Sequence, residues 1–339
     1  MSTLAAASLV QCVFDALSDG AVHSGEQLAA GHGVTRSAVW KAVGALQDLG
    51  VAIAATPNRG YRLAAPIVPL EAGRIRESLA PEARARLRRG EVAWSLASTN
   101  SALLAAAAGA GGEPPAGQFD FLAAEFQSAG RGRNSRPWFA PPGGALCLSM
   151  GWSFASLPKS PAALSLVVGV CALRALAELS ALPLRLKWPN DLMIDDRKLG
   201  GVLLELRAEG AGPAYVVIGI GINCALGIEV IRRVQAAGAE PTDLAALGMR
   251  RCDRNHLAAL LLGHCVRGLL EFEQAGFAPF APEWAAADAL AGRVVTVRLA
   301  EGDFVGHARG IDADGALCVH GADALRRFNS GEVSVRVVT

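Results

Sequence analysis

At 339 residues with 52% hydrophobic content, the chain is too long for one small domain and apolar enough for a sizeable core, so two or three units are expected. A formal net charge of +1 excludes a bulk polyanion binder or an acidic tail protein, so any nucleic-acid contact must come from a local patch. Seven scattered cysteines without a Cys-x-x-Cys pair fit free thiols in a reducing compartment and offer no zinc site; Cys252 and Cys265, flanking His256 and His264, read as small residues of an apolar helix.

Residues 4–18 read as a helix with Leu4, Leu9, Val13, Phe14 and Leu17 on one face, carrying Gln11 and Asp15, and not as a signal peptide. No apolar run reaches membrane-spanning length free of glycine, proline and charge, so a cytoplasmic protein without a membrane partner is expected. Ser24 and Gln27 match a capping box opening a short second helix, which Gly31-His32-Gly33 breaks. Thr35 caps a third helix through Leu49, with Val39, Val43, Leu46 and Leu49 inward and Gly50 as its stop. Val51–Ile53 and Tyr61–Leu63, joined by Pro57-Asn58-Arg59-Gly60, read as a β-hairpin. The whole is a winged helix-turn-helix, with Arg36, Ser37, Trp40 and Lys41 on the outer half of the recognition helix and Arg59 at the wing tip. DNA binding is the favoured use, although small three-helix units also serve as dimerisation or docking modules.

The stiff segment Ala64–Pro69 marks a boundary. A helix with Arg84, Arg86, Arg88 and Arg89 follows and reads as a solvated face without function. From Glu91 to about residue 285 strand-like runs alternate with alanine-rich helices, indicating α/β or α+β architecture. From Asp288 onward Val294–Leu299, Ala316–His320 and Val333–Val338 read as strands of a small all-β barrel.

Three segments carry chemistry. The strand Phe119–Phe126 runs into Gln127 and then Gly130-Arg131-Gly132-Arg133-Asn134-Ser135-Arg136-Pro137-Trp138. Three arginines within six residues repel one another unless the loop closes over anions, and its glycines let backbone approach them. No Walker loop is present. A second strand ends at Trp188, Pro189 holds the chain extended, and Asn190-Asp191 turn it. Lys187 precedes this turn and Lys198-Leu199-Gly200-Gly201 follows, and both lysines are conspicuous in a chain holding only four. The third segment, Tyr215–Asn223, is a buried strand whose Gly219 and Gly221 clear one face; no third glycine opens a helix, so it is not a Rossmann turn. Ser98-Thr99-Asn100 alone reads as a helix cap.

Together these motifs resemble the bacterial bifunctional biotin–protein ligases that double as repressors of the biotin operon (class II biotin protein ligases), over essentially the whole chain. The resemblance implies a multi-domain protein: a winged helix-turn-helix over 1–66, an α/β (α+β) catalytic core of the biotin/lipoate ligase type over 67–287, and an SH3-like β-barrel over 288–339. It implies biotin contacts from Ser98, Thr99, Asn100, Gln127, Arg131, Gly132, Arg133 and Lys198. Arg136, Trp138, Lys187, Asn190, Asn223 and Arg336 are expected to serve ATP, and Asp191 to engage Mg2+. Lys198, Arg133 and Asp191 are the expected catalytic set, and Arg36, Ser37, Lys41 and Arg59 the DNA contacts. Biotin would act as substrate and, through biotinyl-5'-AMP, as co-repressor. The implied partners are the biotin carboxyl carrier protein (an acetyl-CoA carboxylase subunit), biotin operator DNA and a second copy in a ligand-linked homodimer. Two departures are visible: Asn134-Ser135 stand where the family commonly has a glycine before the third arginine, and residues 225–249 match least, so no adenine contact is assigned there. The competing reading is a biotin- or adenylate-sensing DNA-binding regulator with little ligase activity; a lipoate–protein ligase shares the core chemistry but not the flanking units.

Overall fold

The computed structural model describes residues 8–57, 59–208, 212–299, 302–329 and 334–337. Ser8 accepts a hydrogen bond from the Gln11 amide and opens α1 (Leu9–Leu17); Leu4 of the expected helix lies outside the described residues. The capping box closes in both directions at α2 (Gly25–Gly31): the Gln27 amide donates to Ser24 Oγ at 3.0 Å and the Ser24 amide to Gln27 Oε1 at 3.1 Å. Thr35 caps α3 (Arg36–Asp48), whose Val39, Val43 and Leu46 bury against Val13, Phe14 and Leu17 of α1. β1 (Ile53–Thr56) and β2 (Gly60–Leu63) pair antiparallel as the wing.

The central unit opens with α4 (Ala72–Ser78), α5 (Pro81–Arg86) and β3 (Leu87–Leu96). The expected arginine-rich helix face is corrected here, because Arg88 and Arg89 belong to the strand. Arg88 pairs with Asp120 on the neighbouring strand and donates to the carbonyls of Gly111, Gly112 and Glu113. Asp120 is 7% exposed, and a carboxylate so placed requires a cation. There follow α6 (Thr99–Ala108), β4 (Phe119–Gln127), β5 (Ala145–Phe154), α7 (Leu164–Leu179), β6 (Arg185–Lys187), β7 (Asp191–Ile194), β8 (Arg197–Ala208) and β9 (Ala214–Asn223). Seven strands form one mixed sheet in the order β3-β4-β5-β9-β8-β7-β6, in which only the β3–β4 pair is parallel. After α8 (Ile228–Ala236) come α9 (Arg254–Ala275) and α10 (Ala281–Ala287). Helices α7 and α9 fill one face of the sheet with Val167, Val170, Leu261 and Leu269, while α6 packs on the other through Leu103. The stretch Pro161–Leu179 is apolar enough to cross a membrane by composition, yet 67% of its most apolar window is buried in this core.

The last unit is a five-stranded antiparallel sheet of β10 (Val294–Leu299), β11 (Gly302–Ile311), β12 (Leu317–His320), β13 (Leu325–Phe328) and β14 (Ser334–Val337), ordered β13-β12-β11-β10-β14. Val333 and Val338 of the expected last strand lie outside the described residues. The unit shares its apolar core with the central sheet and is tied to it by Trp188 Nε1, which donates to the Gly315 carbonyl at 3.0 Å, and by the Arg293–Asp196 ion pair at 2.5 Å.

Candidate active site

Ser98 is the N-cap of α6, as its sequence context suggests, and Thr99 and Asn100 in the first turn of the helix face the sheet. Both are nearly buried, at 4% and 3% exposure. Gln127, at the end of β4, accepts through Oε1 from the Thr99 amide at 2.7 Å and from its hydroxyl at 3.1 Å. Ser149 on β5 lies 2.6 Å from both Thr99 Oγ1 and Asn100 Oδ1, and its single proton serves one of them at a time. Gly219 on β9 makes room for this: a Cβ there would stand 2.5 Å from Asn100 Oδ1. The structure thus gathers Ser98, Thr99, Asn100 and Gln127 where α6 packs on the sheet, and adds Ser149, which motif reading had passed over.

The arginine loop folds back on itself. The Gly132 amide donates to the Arg136 carbonyl at 2.7 Å, and the Trp138 amide to the Gly130 carbonyl at 2.8 Å. Asn134 and Ser135 occupy the tip with φ of 52° and 55°, which is left-handed backbone on two non-glycine residues. Arg131 donates to Ser101 Oγ at 2.6 Å and pairs with Glu205 on β8 at 2.7 Å. Arg133 is half-buried; desolvation depresses its pKa, partly opposed by the nearby Asp191 carboxylate. Arg136 is exposed. The Trp138 indole lies over Gly221, where a Cβ would approach it to 2.7 Å.

The Lys187 segment differs from its sequence reading in one respect. Lys187 pairs in register with Asp191, so Trp188, Pro189 and Asn190 form the turn, with a cis Trp188–Pro189 bond, and Asp191 is the first residue of β7. Pro189 thus lies inside the turn, where the sequence reading had it holding the chain extended ahead of the turn. Asn190 Nδ2 donates to the Val202 carbonyl at 2.6 Å. Lys198 Nζ stands 2.5 Å from Asp191 Oδ1 and 6.0 Å from the Trp138 ring centre. Burial lowers the pKa of Lys187, aided by repulsion from Lys198 and opposed by Asp191. Lys187, Lys198 and Arg133 therefore all lie within electrostatic reach of Asp191, and Asp196, which also acts on Lys187, is already paired with Arg293, so the site keeps surplus positive charge.

Asn223 is 5% exposed, and its amide donates to the carbonyls of Lys198 at 3.2 Å and Thr242 at 3.0 Å. The segment 240–242 flanks Lys198 as well: the Lys198 amide donates to the Glu240 carbonyl at 2.7 Å and its carbonyl accepts from Thr242 at 2.9 Å. Backbone that motif reading left without a role thus holds the lysine. Arg336, exposed on β14 opposite Thr296, makes no contact with this cluster among the described residues. Arg36, Ser37 and Lys41 are exposed on α3 beside Trp40, itself 65% exposed, and Arg59 is exposed at the wing turn. Among the described residues, no group of three His, Cys, Asp or Glu is placed to hold a metal ion.

Residues 118–223 match the Biotin/lipoate A/B protein ligase family, 291–336 the Biotin protein ligase C terminal domain, and 16–62 an HTH domain. The chain is 38% identical over 324 residues to the bifunctional ligase/repressor BirA of Escherichia coli (strain K12), covering 94% of this chain and 95% of that one. It is 35% identical to the biotin--[acetyl-CoA-carboxylase] ligase of Mycobacterium tuberculosis, covering 78% and 95%. Among solved structures, the biotin protein ligase from Aquifex aeolicus in complex with biotin and ATP superposes with a TM-score of 0.61 at 25% identity, covering 74% of this chain and all of that one. With an HTH domain ahead of a ligase core and its C-terminal domain, the chain belongs to the bifunctional biotin–protein ligase/repressor family.

Proposed function

We propose that the chain condenses biotin with ATP to biotinyl-5'-AMP, transfers biotin to a lysine of a biotin carboxyl carrier protein, and represses transcription at biotin operator DNA. The observation that carries the enzymatic part is the placement of Lys187, Lys198 and Arg133 around Asp191, on the same sheet that carries the Thr99–Asn100–Gln127 cluster. In the first step a biotin carboxylate oxygen attacks the α-phosphorus of ATP and pyrophosphate leaves. Two anions must meet, so fixed cations do most of the work and no protein nucleophile is needed. In the second step the carrier lysine amine attacks the carbonyl carbon of the mixed anhydride, and AMP leaves.

In this reading Ser98, Thr99, Asn100 and Gln127 hold the biotin rings, while Arg131, Gly132 and Arg133 cover biotin and its adenylate. Lys198 bridges carboxylate and phosphate, exchanging its Asp191 partner for the incoming anion. Arg136, Trp138, Lys187 and Asn190 serve the nucleotide, with Arg336 reaching it from the C-terminal sheet. Asn223 contributes by holding the backbone of Lys198. Mg2+ enters as part of the nucleotide substrate, and the lone carboxylate of Asp191 suits a cation that keeps waters and phosphate oxygens as its other ligands. Arg36, Ser37, Lys41 and Arg59 contact operator DNA, with a ligand-linked homodimer matching a two-fold site. The units divide as 1–66, 67–287 and 288–339, and cysteines that form no disulfide among the described residues suit work in the cytoplasm. A regulator that only senses the adenylate has no use for so many cations around Asp191.

Purified protein incubated with biotin, ATP, MgCl2 and an apo carrier domain should yield streptavidin-reactive carrier, and the ligase reading fails if none forms. In a low-salt gel shift with biotin-operator DNA plus biotin and ATP, the wild type should retard the probe. The Arg36→Ala/Lys41→Ala variant should do so about tenfold less well while ligating normally. Equal retardation by both removes these residues from the interface.

A further inference from the structure

Glu205 stands out because its carboxylate is divided between two of the site's parts. It lies on β8 within the apolar run Val202–Leu206, opposite Val217 of β9. Its Oε1 accepts from Arg131 Nη2 at 2.7 Å, and its Oε2 accepts from Asn100 Nδ2 at 2.8 Å. We infer that Glu205 is a positioning residue for biotin capture, orienting Asn100 on the pocket floor and anchoring the arginine loop at its stem. This rests on the ligase reading above and assigns a role that none of its motifs supplied.

An ionised carboxylate only accepts, so it dictates which end of the Asn100 amide faces it. The NH2 group turns toward Glu205 and the Leu203 carbonyl, 3.2 Å away, which uses both of its protons. The amide oxygen is thereby presented to Ser149, at 2.6 Å, beside the space that Gly219 leaves open. Arg131 is held from two elements at once, through Ser101 Oγ on α6 and Glu205 on β8. One side chain therefore registers α6, β8 and the loop against one another. The pair is about a third exposed on the Arg131 side and a quarter on the Glu205 side, so it contributes little to global stability. Its effect is on the shape of the pocket.

Replacing Glu205 by glutamine turns one acceptor into a donor. The new amide can satisfy Arg131 or Asn100 but opposes the other, so either the loop stem is released or Asn100 reverses its amide against Ser149. The consequences fall on biotin and spare the nucleotide end, where Lys187, Lys198 and Asp191 are untouched. For Glu205→Gln the KM for biotin in biotin-dependent pyrophosphate exchange should rise about tenfold, the loss expected of one charge-assisted hydrogen bond. The KM for ATP and kcat should change less than about threefold. Calorimetric titration with biotin alone should show the same weakening. Combined with Arg131→Ala, the loss should be smaller than the product of the two separate losses, because they share a contact. Glu205→Asp, which keeps the charge but reaches only one partner, should fall between wild type and Glu205→Gln, and provides the test if the glutamine variant does not fold. Folded variants that bind biotin as the wild type does, or losses that multiply fully, overturn the proposal. A wild type without pyrophosphate exchange would instead sink the ligase reading, and the calorimetric comparison would still decide the role of Glu205.

Discussion

Lys187, like Arg133, is a cation of the site whose protonated form the fold disfavours. Burial outweighs the attraction of Asp191, and Lys198 adds repulsion, so its pKa lies below the ordinary lysine range. Between that lowered value and the unfolded one, the native state binds fewer protons than the unfolded chain, so this group adds stability as pH rises through the window and costs stability below it. Lys187→Met should therefore raise Tm at neutral pH, by roughly 2 °C for a protein of this size, while raising the KM for ATP about tenfold through loss of a phosphate contact. Differential scanning fluorimetry and initial rates check both halves, and a lowered Tm at pH 7 would refute the electrostatic account. The ATP KM of the wild type should climb at alkaline pH earlier than an ordinary lysine would cause. At this scale the sequence was informative about identities, since the scarcity of lysine singled out Lys187 and Lys198. It was silent about partners. Glu205 meets Arg131 and Asn100 across 74 and 105 residues of chain, and no local pattern announces such a contact.

Elements bounded by local hydrogen bonds were the most legible. The Ser24–Gln27 box and the Thr35 cap act within three residues, so helices α2 and α3 begin where their side chains dictate. The bounds of the β6–β7 turn and the placement of Arg88 were not legible, because the first is set by the pairing of Lys187 with Asp191 and the second by a strand partner 32 residues away. The arginine loop lies between these cases: its charges show in the sequence and its closure does not. Two adjacent left-handed residues at Asn134 and Ser135 explain how it closes without the expected glycine. Asparagine tolerates this region; serine does so at a cost of about 1 kcal/mol. Ser135→Gly should be nearly neutral, because relief of that cost is offset by the greater freedom of glycine in the unfolded chain. Ser135→Val, β-branched at positive φ, should open the loop at a cost of roughly 1–2 kcal/mol. The measurement is the rate of tryptic cleavage after Arg133 in the native protein. It should order valine variant above wild type, with the glycine variant near wild type; a glycine variant cut faster than the valine variant contradicts the loop geometry.

The units of the molecule are joined by more than a linker. Glu125 and Arg254, with side chains 5% and 3% exposed, pair at 2.7 Å beneath the segment that leaves the wing. Glu125 also accepts from the amides of Leu70 at 2.5 Å and Gly143 at 3.2 Å, while Arg254 donates to the carbonyl of Val68 at 3.0 Å. Asn255 accepts from the Glu71 amide at 2.8 Å and donates to the Pro69 carbonyl at 3.0 Å. Phe14 of α1 packs on Trp94 of β3, ring centres 5.0 Å apart, and Gly50 at the end of α3 lies against Val230 of α8. The winged helix keeps its own apolar core but is packed on the central unit by these contacts, and both should unfold in a single transition. A buried pair is a weak source of net stability while intact, but removing one partner strands the other charge in a dry site. Arg254→Leu should therefore cost about 3–5 kcal/mol in urea denaturation, and it should loosen 68–71 enough to separate the winged-helix transition from that of the core. Glu125→Gln/Arg254→Leu should recover part of the loss by removing the stranded charge, yet not all, since the amides of Leu70 and Gly143 keep only a weaker acceptor. A loss below about 1 kcal/mol in the single variant would show that water reaches Glu125 and that the pair does not fasten the two units.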